Sequence, residues 1–323
     1  MTRGSAAATS AGIAAGIVAL TIPLLGMPLL ADIDFRICAL LMVAVSWNLM
    51  AGAGLVSLGH SAFWGLGAYV AILAANDFAV PFAVSLLPAM LAGALLGAAL
   101  ALITGRMRGI YFAISTLAAS EGLRVLATML PDITGGGSGL YLDSTLFPGK
   151  TALGLAAPCG AILAALIAWA ISRSRYAFAL RAMRNNELAS QMLGVAPIRF
   201  RIGIMTVAGA IATLAGAINA WHGGYLDPGV AFDLQTTIDA QIAPILGGVY
   251  TLPGPIIGAI ATIGFEELTR ALFGGMVGIS LLVFGIVLVV VVLCMPQGIF
   301  GLLLGICLPW RPPWRPATPR GAR

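Results

Sequence analysis

The amino-acid sequence predicts an all-α membrane protein, a polytopic bundle of about ten transmembrane helices. Hydrophobic residues make up 60% of its 323 residues and charged residues 9%, whereas a soluble domain carries about 25% charged residues. The mean hydropathy is +1.01. Apolar runs of about 20 residues, long enough to cross a bilayer, recur along the chain. Residues 1–323 are therefore predicted to form one transmembrane domain, and a soluble enzyme is excluded.

The uncharged runs define the predicted helices in chain order. The first run is longer than the apolar core of a signal peptide, which has about 7–15 residues, so it is predicted to be a span. The eighth and ninth helices are separated by a break rich in Gly and Pro. The ten predicted spans are residues 11–30, 36–52, 58–75, 81–104, 109–130, 151–171, 202–221, 236–249, 254–273 and 277–295.

The basic residues predict the orientation, because cytoplasmic loops carry an excess of Lys and Arg. With the N-terminus inside, thirteen of the 17 basic residues fall on the cytoplasmic side. Asp32 and Asp34 fall outside. Both termini are then cytoplasmic, which requires an even number of spans and favours two helices in the Gly/Pro-rich stretch. The thirteen residues, four of them in a basic tail at 296–323, are Arg3, Arg106, Arg108, Arg173, Arg175, Arg181, Arg184, Arg199, Arg201, Arg311, Arg315, Arg320 and Arg323.

The cytoplasmic loop at about residues 172–201 contains a predicted short helix. Asn185 or Asn186 caps its N-terminus, and Glu187 in the first turn complements the helix dipole. Gly194 supplies a left-handed residue at the C-terminus. One apolar ridge consists of Leu188, Met192 and Leu193. The helix either inserts into a groove of a partner protein or lies on the lipid headgroups, and the spacing is compatible with both.

Two predicted intramembrane segments, residues 52–67 and 247–258, are rich in residues that interrupt helices. Irregular backbone is tolerated at membrane depth where it is buried in protein or lines a cavity, and paired interrupted segments point to the pathway of a transporter. We therefore predict that both segments line a translocation pathway. For His60, the alternative is a hydrogen bond to a neighbouring carbonyl. The candidate pathway residues are Asn48, Ser57, His60, Ser61, Gly247 and Gly248.

A few charged residues lie inside predicted spans, where a lone charge costs about 2.5–3.5 kcal/mol on insertion scales. Glu121 and Arg124 are three residues apart in the fifth span and are predicted to form an ion pair. Glu266, Glu267 and Arg270 allow similar pairs near the outer end of the ninth span. Structural pairing is the favoured interpretation. A role in gating, or in receiving a zwitterion, is the alternative.

The larger loops on the predicted outer side are residues 133–140 and 223–239. Their exposure makes them candidate docking sites for an extracellular partner. An ordinary flexible loop is the alternative for each of them.

The sequence contains no arrangement that indicates catalysis. Its two histidines, His60 and His222, are far apart and give no metal-ligand spacing. The segment at 148–151 resembles the end of a phosphate-binding loop, but Ser144 stands where that motif needs Gly. The chain is therefore predicted to bind no metal, cofactor or nucleotide of its own.

A short motif and its surroundings resemble a known family. Glu187-x-Ala189 followed by Gly194 resembles the EAA loop of bacterial ABC importer permeases, with Ser190 in place of an alanine. The wider pattern resembles the LivM-type permeases of the branched-chain amino acid importer family. The matching segments are SWNLMAG (46–52), GLVSLGHSAFWGLGAY (54–69), YFA (111–113), TLA (116–118), TGG (134–136) with Gly139, ALRA (179–182), LGG (246–248), GP (254–255) and MPQG (295–298).

The resemblance implies a subunit of an ATP-driven importer in the bacterial inner membrane. Its partners would be a second, homologous permease of the LivH type, two cytoplasmic ATPases that bind ATP and magnesium, and a periplasmic binding protein. The expected cargo is a branched-chain or related amino acid, although the family also includes permeases for urea and short amides. A secondary transporter or channel is the alternative of another class. The residues expected to couple the chain to the ATPase are Glu187, Leu188, Ala189, Met192 and Gly194.

Overall fold

A computed structural model describes residues 27–272 without a gap, together with residues 16, 19–25, 282–283, 285–286, 289 and 298–307. These residues form mainly α-helices, with three short 3-10 turns at Ile22–Leu25, Gly136–Ser138 and Ser144–Leu146, and one antiparallel pair of strands, β1 (Leu140–Tyr141) and β2 (Tyr225–Leu226). The α-helices are α1 (Pro28–Gly52), α2 (His60–Phe78), α3 (Phe82–Ile103), α4 (Ile110–Met129), α5 (Pro131–Thr134), α6 (Lys150–Arg173), α7 (Arg175–Asn185), α8 (Glu187–Met192), α9 (Pro197–Gly223), α10 (Pro228–Ala231), α11 (Leu234–Gly247), α12 (Gly254–Leu272) and α13 (Gly298–Cys307).

The predicted class of a helical, multi-pass membrane protein is confirmed. By length and composition, α3, α4, α6 and α9 are able to cross a membrane. The predicted spans at 81–104 and 109–130 match α3 and α4 closely, and the predicted break between the eighth and ninth spans falls between α11 and α12. Within the predicted tail, residues Gly298–Cys307 form α13. Most of the predicted span 277–295, most of the tail 296–323 and much of the first span lie outside the described residues. The number of spans and the side of the termini therefore stay predictions.

The predicted start of the second span, at residue 36, is wrong. Helix α1 begins at Pro28 and includes Asp32 and Asp34, and the Asp34 side chain is buried. A proline at the first helical position has its backbone angle already set for a helix and lacks the N–H group that would otherwise be left unpaired there. The helix therefore starts at the proline and continues through the aspartates into the apolar run.

The cytoplasmic loop contains more helix than the sequence indicated. Helix α7 is a second helix in this loop, where one short helix was predicted, and α9 begins at Pro197, before the predicted start at residue 202. The Ser174 side chain accepts a hydrogen bond from the Tyr176 N–H at 3.2 Å and so caps the start of α7. Both helix starts thus have local causes, a serine cap in one case and a proline at the first position in the other.

Helix α9 lies at the centre of the bundle. Of the most apolar stretch of α9, 67% is buried inside the protein, compared with 28% for the corresponding stretch of α3 and of α4. A Cβ atom on Gly97 of α3 would overlap the backbone of Met205 on α9, so the small residue allows the two backbones to approach closely. The face of α3 that points away from α9 carries exposed leucines at helical spacing, which suits contact with lipid. These are Leu87, Leu91 and Leu95.

The two predicted outer loops are joined by the strand pair. Leu140 of β1 lies opposite Leu226 of β2, so residues 133–140 and the start of 223–239 form one surface. The expectation that 223–239 is a single loop is wrong, because it contains α10 and the start of α11. Asp227 and Asp233 cap these two helices by accepting hydrogen bonds from backbone N–H groups. Aspartate at both caps explains why the helices start there.

Candidate functional site

We call residues 53–59 the re-entrant segment, because they fold back along the last turns of α1. Trp47 Nε1 on α1 donates to the Ser57 carbonyl at 3.0 Å, and His60 at the start of α2 lies beside Ser46. At the helical rise of 1.5 Å per residue, Ser46 is about 9 Å from the end of α1. Most of this non-helical backbone is therefore packed against the bundle, although Gly54 and Val56 stay exposed.

His60 is fully buried and takes part in a short hydrogen-bonded chain. Its Nε2 lies 3.2 Å from Ser46 Oγ, and Ser46 Oγ donates to the Ala208 carbonyl at 2.8 Å. A serine hydroxyl has one hydrogen, so His60 Nε2 must be the donor to Ser46. Its Nδ1 has no hydrogen-bond partner among the described residues. His60 thus links α2 to α1 and, through Ser46, to α9.

Four side-chain hydroxyls surround the start of α2, and we call them the hydroxyl cluster. Ser61 Oγ is 2.7 Å from Ser120 Oγ of α4 and accepts from Thr237 Oγ1 of α11 at 3.0 Å. Thr237 Oγ1 also accepts from the Ser61 N–H at 2.9 Å, and Thr116 Oγ1 accepts from the Leu58 N–H at 3.0 Å. The cluster satisfies backbone groups that a broken helix leaves unpaired. Its members are Ser61, Thr116, Ser120 and Thr237.

The second interrupted segment is the turn between α11 and α12, residues 248–253. It begins directly after the predicted pathway residue Gly247 and includes the second one, Gly248. Asn48 of α1 binds this turn at two points, since its Oδ1 accepts from the Tyr250 N–H at 2.9 Å and its Nδ2 donates to the Thr251 carbonyl at 3.0 Å. The structure therefore brings the predicted pathway residues Asn48, Gly247 and Gly248 together. Helix α1 thus contacts both interrupted segments, through Trp47 and Asn48.

Helix α8 is the short helix predicted in the cytoplasmic loop. Asn186 is its cap, and the Asn186 side chain accepts from the Ala189 N–H at 3.0 Å. Gly194, just beyond its end, has a φ of +83°, a conformation that favours glycine. Ser190, which replaces the alanine of the motif, is buried and donates to the Glu187 carbonyl. The apolar side chains with the greatest exposure on this helix and its end are Leu188, Met192 and Leu193.

Glu187 anchors α8 to the rest of the molecule. Its carboxylate Oε2 lies 3.0 Å from Arg201 Nη2 and 2.9 Å from Arg108 Nε. The buried Arg201 also donates from Nη1 to the carbonyls of Gly105 and Met107, both at 2.9 Å. The loop that contains α8 is thereby tied to the start of α9 and to the turn between α3 and α4. Charge-assisted hydrogen bonds of this kind are stronger than neutral ones.

The charged residues that were predicted to pair on α4 and α12 do form ion pairs. Arg124 Nε donates to Glu121 Oε2 at 2.8 Å, and both side chains stay about half exposed on the surface of this chain. On α12, Arg270 pairs with Glu266 at 3.0 Å and with Glu267 at 3.1 Å. Arg36 of α1 joins the same two glutamates, lying 2.6 Å from Glu266. The N-terminal part of α1 and the C-terminal part of α12 are therefore held together by a charge network that the sequence spacing did not indicate.

Sequence reasoning missed several residues that the structure places at these sites. Thr116 and Ser120 are four residues apart in one predicted span, and that spacing on one helix face was an available signal. Arg201 and Arg108 were read only as basic residues of the inner side, and nothing in their spacing connects them to Glu187. Tyr250 gave no signal, although its φ of +66° is uncommon for a residue with a side chain.

Comparison with known proteins gives matches to one group of transport proteins. The sequence pattern of the family described as branched-chain amino acid transport system / permease component matches residues 29–292. The chain is 29% identical over 131 residues to the high-affinity branched-chain amino acid transport system permease protein BraD of Pseudomonas aeruginosa. It is 27% identical over 121 residues to the corresponding LivM protein of Salmonella typhimurium, and 28% identical over 121 residues to that of Escherichia coli.

The aligned stretches are partial. They cover 41% of this chain and 41% of BraD, and 38% of this chain and 27% of each LivM protein. The matches thus span less than half the length of these relatives. No solved structure matches the chain.

Proposed function

Since this chain belongs to the family of branched-chain amino acid transport permease components, we propose that it is a permease subunit of an ATP-driven importer. It forms the translocation pathway for branched-chain or related amino acids that a periplasmic binding protein delivers. Two cytoplasmic ATPases, which bind ATP and magnesium, drive it. A second, homologous permease completes the pathway in the bacterial inner membrane. The chain itself carries out no chemical step.

The observation that carries the proposal is that helix α8 is fixed in place and yet exposes apolar side chains. Met192 is 91% exposed and Leu193 is 81% exposed, yet the helix that presents them is fixed by a cap and a buried ion pair. Burying one such side chain in a partner contributes about 1.5–3 kcal/mol. A rigid, apolar projection supports insertion into a groove of another protein. A helix lying on lipid headgroups needs no connection to the buried Arg201.

The proposed pathway runs along the two interrupted segments. Asn48, Ser57, His60, Ser61, Gly247 and Gly248 lie on or beside these segments, where backbone groups are satisfied by side chains instead of by helix. Segments of this kind can change conformation with fewer broken backbone hydrogen bonds than a continuous helix. Their position next to the coupling loop supports a gate that the ATPases control from the cytoplasmic side.

Reconstitution of the complex tests the proposal. The tagged chain is purified from its native membranes in mild detergent, its partners are identified by mass spectrometry, and the complex is placed in liposomes. We expect an ATPase and a second permease to copurify, and we expect uptake of labelled leucine to require ATP. Labelled urea and acetamide, assayed in parallel, distinguish the amino-acid substrate from an amide. Uptake by the chain alone without ATP would show a secondary transporter or channel and contradict the proposal.

The exposed ridge is tested with a matched pair of variants. Met192→Ala shortens the ridge, and Phe178→Ala removes an exposed apolar side chain of α7 on the same side of the protein. We expect Met192→Ala to weaken recovery of the ATPase by about tenfold, because loss of a buried contact of about 1.4 kcal/mol changes an equilibrium constant tenfold. Phe178→Ala should leave recovery unchanged. Equal recovery in both variants would place the ATPase contact elsewhere.

A further inference from the structure

Helix α7 lies across both interrupted segments and contacts each of them through Arg184. A Cβ atom on Gly54 of the re-entrant segment would meet the Arg184 Cα at 3.2 Å, so the two backbones are in close contact. On its other side, the Arg184 guanidinium stacks over the Tyr250 ring, with its carbon atom 4.1 Å from the ring centroid. One residue of the cytoplasmic loop thus contacts the re-entrant segment and the turn at 248–253.

Both contact points have a positive φ, which glycine adopts freely but a residue with a side chain does not. Gly54 has a φ of +80°, and Tyr250, which is not glycine, has a φ of +66°. Tyr250 is held from the opposite side by Asn48, which accepts a hydrogen bond from its N–H at 2.9 Å. A non-glycine residue in the left-handed region persists where the surrounding structure holds it there. Arg184 and Asn48 together provide this support, one at the ring and one at the backbone.

Arg184 is also rigidly connected to the coupling helix. Asn186 ends α7 by donating its N–H to the Ala182 carbonyl at 3.0 Å, and it begins α8 by accepting from the Ala189 N–H at 3.0 Å. Two helices that share one capping residue have little freedom to move independently. A displacement of α8 therefore moves the last turn of α7 and Arg184 with it.

We propose that Arg184 is a positioning residue that transmits movement of the coupling helix to both interrupted segments at the cytoplasmic end of the pathway. The inference rests on the proposed function, since it needs an ATPase acting on α8. Arg184 would act through its contacts with Gly54 and Tyr250. Its cation–π contact with Tyr250 and its backbone contact with Gly54 make the two segments respond together to one input.

Arg181 provides the matched control on the same helix. It lies one turn earlier, and its guanidinium stacks over Phe178 and donates from Nε to the Ala177 carbonyl, both within α7. Removing either arginine changes the net charge by the same amount. The two substitutions therefore differ in whether contact with residues 248–253 is lost.

The test uses the complete importer in liposomes and measures substrate uptake per ATP hydrolysed. We expect Arg184→Ala to keep ATPase recovery and ATP hydrolysis and to lower uptake per ATP by about fivefold to tenfold, the effect of losing a partly desolvated cation–π contact. Arg184→Lys, which keeps a cation at this position, should restore part of the loss. Arg181→Ala should match the unmodified chain. Unchanged uptake per ATP in Arg184→Ala would overturn the proposal, as would loss of ATPase recovery, which indicates a role in assembly.

Substitutions at Tyr250 remain informative if Arg184→Ala fails to accumulate, and together with Arg184→Ala they form a double-mutant cycle that isolates the contact. Tyr250→Phe keeps the ring and should behave as the unmodified chain, whereas Tyr250→Leu should lower uptake per ATP as Arg184→Ala does. The double variant should be no worse than either single variant, because both remove one interaction. Tyr250→Leu with normal uptake per ATP would refute the inference. Failure of the proposed function is a different result, since the unmodified chain would then show no ATP-dependent uptake.

Discussion

Helices α2 and α8 each begin directly after non-helical backbone, and their starts are stabilised in opposite ways. Helix α8 lies in the loop between α6 and α9, and the Asn186 side chain directly before it supplies its cap. Helix α2 begins inside the bundle without a side-chain cap of its own, and hydroxyls from α4 and α11 bind the backbone around its start. The apolar side chains of α8 are exposed, while His60 and Ser61 of α2 are buried.

The difference shows what each start can do. A helix that carries its own cap keeps its form when it docks or is displaced, which suits a coupling element. A helix start whose backbone depends on hydroxyls from other helices is tied to their arrangement, so a shift of α4 or α11 changes it. Helix α8 is therefore suited to transmitting a displacement, and the start of α2 is suited to responding to one.

The largest expected effect comes from breaking the anchor of α8. Glu187→Lys places a like charge beside the buried Arg201, and breaking a buried ion pair by removing one partner costs about 3–5 kcal/mol. We expect ATP-dependent uptake to be abolished while the chain still inserts into the membrane. Uptake in liposomes and the amount of chain in the membrane fraction are the two measurements. Gly194→Pro should act in the same direction, because proline cannot adopt the positive φ found there.

A control variant separates the charge from the shape of Glu187. Glu187→Gln keeps the size and a hydrogen-bond acceptor for Arg201 but removes the charge. We expect intermediate uptake from it. Normal uptake in both Glu187→Lys and Gly194→Pro would contradict the coupling role of α8. The contrast drawn between α8 and α2 would then have no functional meaning.

The next effect concerns the start of α2. Thr237→Val removes the acceptor of the buried Ser61 N–H, and leaving a buried donor unpaired costs about 1–3 kcal/mol. We expect a lower midpoint of thermal unfolding in detergent. Thr236→Val, at the neighbouring and less buried position of α11, should change the midpoint little. If the two variants unfold at the same temperature, the start of α2 does not depend on α11.

The cap of α8 should have a smaller effect than its anchor. Asn186→Ala removes the side-chain acceptor for the Ala189 N–H, and loss of such a cap costs about 0.5–2 kcal/mol. We expect faster hydrogen exchange of the amides in residues 187–194, with Asn186→Asp exchanging at the normal rate. If the amides of Asn186→Ala exchange as slowly as those of the unmodified chain, tertiary contacts hold α8 in place. Its start would then depend on other helices, as the start of α2 does.

The smallest effect is expected at the half-exposed pair on α4. Exposed ion pairs contribute about 0–1 kcal/mol, so reversing Glu121 or Arg124 alone should lower transport modestly through like-charge repulsion. The double reversal, Glu121→Arg with Arg124→Glu, should restore transport if pairing is the role of these residues. Loss of transport in the double reversal would favour a direct role of the charges in gating or in binding a zwitterion.

Several features of the fold could be predicted because they depend on neighbouring residues. The lengths of α3 and α4 follow from apolar runs matched to a bilayer, and the break after Gly247 follows from Gly and Pro. The start and end of α8 follow from Asn186 and Gly194. The start of α1 was misplaced because the aspartates after Pro28 resembled a loop. Their burial depends on contacts from the rest of the bundle.

The sequence by itself determined the helical membrane class, the positions of most helices and the local form of the coupling helix. Each of these depends on residues within a few turns of one another, so composition and spacing contain the information. The tertiary structure alone decided which polar groups meet. Arg36 and Glu267 are 231 residues apart, Ser61 and Thr237 are 176 apart, and even Arg201 and Glu187 are separated by 14. Such pairs depend on how helices rotate and pack, and no local pattern specifies that.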